Sequence, residues 1–105
     1  ISRGIHPIDI HASSGAGQIR IDLEQPAYVP YRALIAEDYP NLLVAGRCIS
    51  TDRQALASLR VMGSCMGTGQ AAGAAAAMSA LGDVSVQNVN VEELVSTLRA
   101  WGAVI

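Results

Sequence analysis

Polar and apolar residues alternate near the start of the chain. Ile8 and Ile10 alternate with Asp9 and His11, the period-two pattern of a strand. The cluster Ala12-Ser13-Ser14-Gly15-Ala16-Gly17 then predicts a turn. In the next run Ile19, Ile21 and Leu23 point one way and Arg20, Asp22 and Glu24 the other, which predicts a half-buried strand. Pro26 ends it, because proline donates nothing to a ladder. Residues 28–35 suit a third strand, which Pro30 confines to an edge or a bulge. Asp38-Tyr39-Pro40-Asn41 forms a turn. The unalternating run from Leu42 to Ala45 then suits a strand buried on both faces and stopped by Gly46.

The helical signals follow. Ser50 or Thr51 is the expected cap of a helix carrying Leu56 and Leu59, since Thr51 and Gln54 have capping-box spacing. That helix weakens at Gly63, and Ser64 stands where it can cap a new one. From Val61 to Leu81 there are 21 residues without a charge. Within them Gly69, Gly73 and Ala77 fall at i, i+4 and i+8, forming one smooth stripe. Glycine inside a helix costs about 1 kcal/mol relative to alanine, so two on one face predict close approach by another backbone or a ligand. Gly82-Asp83 ends this helix. Asn90 and Glu93 make another capping-box pair, opening a short amphipathic helix with the stripe Val91, Leu94, Leu98 and Trp101. The expected fold is α/β: a small, partly antiparallel sheet packed on a Gly/Ala-rich helix and a C-terminal amphipathic helix.

Composition sharpens this picture. A chain of 105 residues supports one small core. Charged residues make up 15%, below the roughly 25% usual for a free-standing domain. Part of the surface is therefore expected to meet a partner, a cofactor or more of a longer protein, and the start at Ile1 reads as a cut within one. The net charge is -2 and all seven cations are scattered arginines, which speaks against nucleic acid as a partner. Cys48 and Cys65 lie outside any C-x-x-C spacing and read as reduced thiols of a cytoplasmic protein. The uncharged stretch is long enough to span a bilayer. It is Ala- and Gly-rich, however, contains Ser64, Thr68, Gln70 and Ser79, and has no flanking cationic cluster, so a buried helix is the better account.

Several chemistries are weakened by context. Gly67-x-Gly69-x-x-x-Gly73 looks like a dinucleotide fingerprint, but no strand precedes it and no acidic residue ends the next strand, so close helix packing is expected instead. His6 and His11 fall on opposite sides of a strand and are not expected to share a metal. There is no G-x-S-x-G elbow, and neither cysteine has a base nearby in sequence. The strongest signal is an order of elements: strand, Gly46, Arg47, polar cap, helix, Arg60, Gly63, helix start. Glycine lets a ligand approach the backbone, Arg47 offers a fork for a phosphate or carboxylate, and the N–H groups of residues 64–67 make a positive pole. The same residues also fit a plain surface arginine and a helix kink.

The segments 41–50 (Asn-Leu-Leu-Val-Ala-Gly-Arg-Cys-Ile-Ser), 55–62 (Ala-Leu-Ala-Ser-Leu-Arg-Val-Met), Cys65-Met66 and 69–75 (Gly-Gln-Ala-Ala-Gly-Ala-Ala) carry a resemblance. In that order they resemble the C-terminal signature of the FAD-dependent oxidoreductase family, within the glutathione-reductase-like superfamily. Pro7–His11 and Val29–Leu34 resemble segments that precede it. The resemblance implies that residues 1–105 are the C-terminal segment of a larger FAD-binding fold, whose dinucleotide-binding half lies elsewhere. It implies that Gly46 and Arg47 lie by the ribityl chain or pyrophosphate, that Ser64, Cys65 and Met66 present backbone N–H groups to the flavin's N1/C2=O edge, and that Gly63 belongs to the same cofactor site. Arg60 resembles the arginine near the substrate in fumarate-reductase-like relatives, which implies an anionic substrate. FAD is then expected to bind weakly or not at all to this segment alone, with the remainder of the flavoprotein or a second copy covering its surfaces. The competing reading is a non-catalytic interaction or oligomerisation module that docks through the small-residue helix, and a membrane-anchored segment is a further one.

Overall fold

Proline decides where the first strands stop. In the computed structural model, which describes residues 1–11 and 17–105, strand β1 (Ser2–Gly4) pairs with β4 (Ala27–Val29) in antiparallel register. Pro30 follows with φ -75°, lacks an N–H, and turns residues Tyr31–Leu34 into a 3-10 helix. The expected strand over 28–35 therefore survives only as far as Val29. Strands β2 (Ile8–His11) and β3 (Gln18–Ile21) form a second antiparallel pair, with Ile8 opposite Ile21 and Asp9 opposite Arg20. The turn predicted over 12–16 lies outside the described residues.

Two sequence expectations about burial change here. The alternation in β3 is real, but all four of its residues are exposed, with Ile19 at 58%. Strand β2 packs on helix α1 (Arg53–Leu59), and β3 flanks its outer edge. The run from Leu42 to Ala45 is not a strand buried on both faces. It makes one isolated bridge, Leu43 to Ile35, and Leu42 is 44% exposed. Because Tyr31–Leu34 is coiled, only Ile35 is left extended to pair with it.

The helices begin and end for identifiable reasons. Asp52, rather than Ser50 or Thr51, caps α1: its Oδ1 accepts from the Ala55 N–H at 2.7 Å. Its negative charge also suits the positive end of a helix. Helix α2 (Met62–Gly82) starts two residues before Ser64, with Val61 in the cap position and no side-chain cap. Asp83 ends it in the left-handed region at φ 51°. Asn90 caps α3 (Val91–Ala100) as its spacing predicts, accepting from the N–H groups of Glu92 and Glu93.

The core sits between α2, α3 and the Val29–Leu34 segment. Leu34, Leu94 and Leu98 are fully buried, against Ala71, Ala74 and Ala75 of α2. The alanines let α3 approach α2 closely, and Leu94 and Leu98 are the residues of α3 that are fully buried there. Val91 and Trp101, expected on the same stripe, lie beyond them and are exposed. The buried Tyr31 hydroxyl donates to the Val86 carbonyl at 2.6 Å, which ties the 3-10 helix to the segment before α3.

Candidate functional site

Helix α2 is apolar or small all round, so its buried face is chosen by its neighbours and not by an amphipathic pattern. Ser64, Thr68, Ala71 and Ala75 face inward. At its start α2 receives β1 closely. A Cβ placed on Gly67 would stand 2.5 Å from the Ser2 hydroxyl, and one on Gly4 would stand 2.9 Å from the Ser64 hydroxyl. Close packing is thus the reason for Gly67. It is not the reason for Gly69 and Gly73, where an added Cβ meets none of the described residues within 4 Å.

The turn at Gly46 lies directly against this helix start. Gly46 opens the 3-10 turn Gly46–Cys48 with φ 65°, a conformation that favours glycine. Its N–H donates to the Thr68 hydroxyl at 3.0 Å. That hydroxyl lies 3.0 Å from the Ser64 and Cys65 carbonyl oxygens, to which it donates. A Cβ on Gly46 would be 3.5 Å from the Cys65 sulfur. One buried hydroxyl therefore fastens the Gly46 turn to the first two turns of α2, and Arg47 is held exposed beside the joint.

The predicted donors shift by part of a turn. The Cys65 N–H bonds to the Val61 carbonyl at 3.0 Å, inside the helix. By helix geometry the groups without an intrahelical acceptor are those of Met62, Gly63 and Ser64. Of the donors expected at 64–67, Ser64 alone keeps a free N–H by this geometry, and Gly63 joins it. Cys65 instead offers its sulfur to the Gly46 turn, and Met66 projects on the exposed face. Cys48 is exposed and Cys65 half-buried, both as free thiols.

Arg60 follows α1 and reaches back to β2, where its Nη2 donates to the Asp9 carbonyl at 2.9 Å. Ser58 donates to the His6 carbonyl at 2.6 Å, so two bonds hold the β2 segment to α1. The result is a pocket of about 170 Å³ lined by Asp9, His11, Arg47, Arg53 and Arg60 with Ile10, Leu56 and Ala57. Arg47 and Arg60, assigned separately in sequence, meet across it. Sequence reasoning missed Arg53 and weighed His11 only as a metal ligand. The signal for Arg53 was present, because positions 53 and 60 are seven apart and share a helix face.

Asp9 is the single acid of this pocket. Gln18 donates to its Oδ1 at 2.7 Å, and His11 Nε2 lies 3.3 Å from its Oδ2. The Gln18 bond, with lesser help from His11 and Arg60 and against some loss of hydration, holds its carboxyl below the ordinary value of 3.8. A carboxyl depressed in the folded state stabilises the fold above its unfolded pKa, and that contribution is lost as pH falls through the folded value. The difference in Tm between wild type and Asp9→Asn is therefore expected to be fully present at about pH 5. It then shrinks below 3.8. A difference independent of pH down to about 2 would contradict this.

Among the described residues no three His, Cys, Asp or Glu side chains gather as a metal site. None of the helices there is long and apolar enough to cross a membrane. Fold and site together define a small α/β domain with a basic pocket beside a glycine turn and a helix start. Residues 1–98 match the family described as FAD dependent oxidoreductase, and the chain belongs to that family. No curated protein and no solved structure gives a significant match.

Proposed function

We propose that residues 1–105 are the flavin-contacting C-terminal segment of a longer FAD-dependent oxidoreductase of the glutathione-reductase-like type. The observation that supports this best is the Gly46–Thr68 hydrogen bond, which sets Arg47 and the opening of α2 side by side. The local chemistry fits the cofactor. Gly46 lacks a Cβ where backbone approach matters, Arg47 has no ion-pair partner among the described residues, and none of those residues lies within 4 Å of a Cβ on Gly63. Gly46 and Arg47 would hold the ribityl and pyrophosphate part, a role suited to a fixed guanidinium. Gly63 and Ser64, flanked by Cys65 and Met66, would face the flavin's N1/C2=O edge, where a helix start favours negative charge. Bound FAD supplies hydride or electron transfer. Arg60 would orient an anionic substrate.

The remainder of the flavoprotein is the proposed partner. Met62 is 84% exposed, with Met66, Gly69 and Gly73 on the same open side of α2, and Leu81 at the far end of the helix is 91% exposed. Large apolar side chains grouped with small ones suit a covering domain better than water. The two free thiols accord with a cytoplasmic, reducing setting.

The test is visible absorption of the protein expressed with its natural flanking sequence. The expected result is a yellow protein whose flavin bands are displaced from those of free FAD. Arg47→Gln removes a charge-assisted contact and is expected to weaken FAD binding about 10- to 100-fold. A colourless protein after addition of FAD, or unchanged retention in the variant, overturns the assignment.

A further inference from the structure

Three arginines from different parts of the chain line one small cavity. Arg47 comes from the Gly46 turn, Arg53 from the first position of α1, and Arg60 from just past its end. A second hollow of about 290 Å³ shares Asp9, His11, Arg47, Ala57 and Arg60 with the first and adds His6 and Val61. The two are lobes of one cleft, and Asp9 is its only acid among the described residues. The Asp9 carboxylate is turned to Gln18 and His11. Arg47, Arg53 and Arg60 form no ion pair among the described residues. Like charges converging on one cavity repel, and a bound anion relieves that repulsion.

The lining also says what kind of anion. Ile10, Leu56, Ala57 and Val61 place apolar surface beside the guanidinium groups. An inorganic ion gains nothing from such surface, whereas a short carbon skeleton does. The lobe that Arg53 lines holds about 170 Å³, the liquid volume of about five to six waters, so the part of the ligand held there is small. We infer that the Arg47–Arg53–Arg60 cleft is a binding site for a small organic carboxylate, with Arg53 and Arg60 as the forks that hold it. As a substrate site this rests on the flavin reading above. As a binding site it rests on the cleft alone.

Calorimetric titration of the same flanked protein with malonate tests it, with malonamide as the uncharged analogue and inorganic phosphate as the inorganic one. Malonate is expected to bind, malonamide to give no heat, and phosphate to bind at least about 10-fold more weakly. Arg53→Gln is expected to weaken malonate about 10-fold and Arg53→Lys less, with flavin colour unchanged, since Arg53 is outside the proposed flavin contacts. Malonate affinity that is untouched by Arg53→Gln overturns the inference, as does phosphate binding as tightly as malonate. If the protein takes up no FAD while malonate binding still depends on Arg53, the cleft stands and the flavin reading falls.

Discussion

Leu98→Ala is expected to lower the free energy of unfolding by about 2–5 kcal/mol. Leu98 is completely buried, next to Leu94 on α3, and faces the alanine side of α2. Truncation removes transfer energy and leaves a cavity. The neighbours are poorly able to fill it, because Ala71, Ala74 and Ala75 carry nothing that can swing into the space. The loss should therefore fall in the upper part of the range. Against a total of about 5–15 kcal/mol for a domain, it is a large fraction. At about 4–8 °C per kcal/mol for a domain of this size, Tm should fall by at least about 8 °C. Urea unfolding should show a lower midpoint at unchanged slope. Val91→Ala, on the same helix but exposed, is the comparison and should change stability by less than about 0.5 kcal/mol. A Leu98→Ala loss as small as that would mean that α3 is not docked on α2.

The contrast between Leu98 and Val91 also marks how far sequence reasoning reaches. Period is local, and it was legible where a single signal stood alone: Asn90 capping α3, Gly82-Asp83 ending α2, Ile8–His11 as a strand. Burial is not local. Alternation placed Ile19 and Ile21 on one face of β3, but no pattern along the chain states whether another element covers that face, and none does among the described residues. The apolar run at Leu42–Ala45 had the composition of a buried strand, yet pairing requires an extended partner, and Tyr31–Leu34 is coiled. Cap choice was a competition between neighbours. Asp52 lies next to Thr51 and carries the charge a helix start prefers, which a search for Ser/Thr with Gln overlooks. At the site, the adjacency of residues 46–47 to the α2 start was anticipated from the order of elements. The pocket joining Arg47 to Arg60 was not, because it depends on β2 arriving from a distant part of the chain.

Thr68→Val is expected to cost about 1–3 kcal/mol and to loosen flavin retention in the same protein. The Thr68 hydroxyl is buried, accepts from the Gly46 N–H and donates into the first turn of α2. Valine has nearly the same shape, so no cavity opens and the effect isolates the hydrogen bonds. The half-buried Gly46 N–H is then left facing a methyl group, and an unsatisfied donor costs more the further it is withdrawn from water. Residue 46 also sits at φ 65°, so its turn has few alternative conformations in which to find another acceptor. The cheapest relaxation is for the turn to move off α2, which carries Arg47 away from Gly63 and Ser64. Thr68→Ser keeps the hydroxyl and should retain both stability and flavin to within about 1 kcal/mol. Gly46→Ala perturbs the same joint from the other side, adding about 1–2 kcal/mol of left-handed strain and placing a Cβ against Cys65. If Thr68→Val unfolds more easily but holds FAD as tightly as wild type, the joint is structural only. If valine and serine behave alike in both measurements, the hydrogen bond does not hold the turn against the helix.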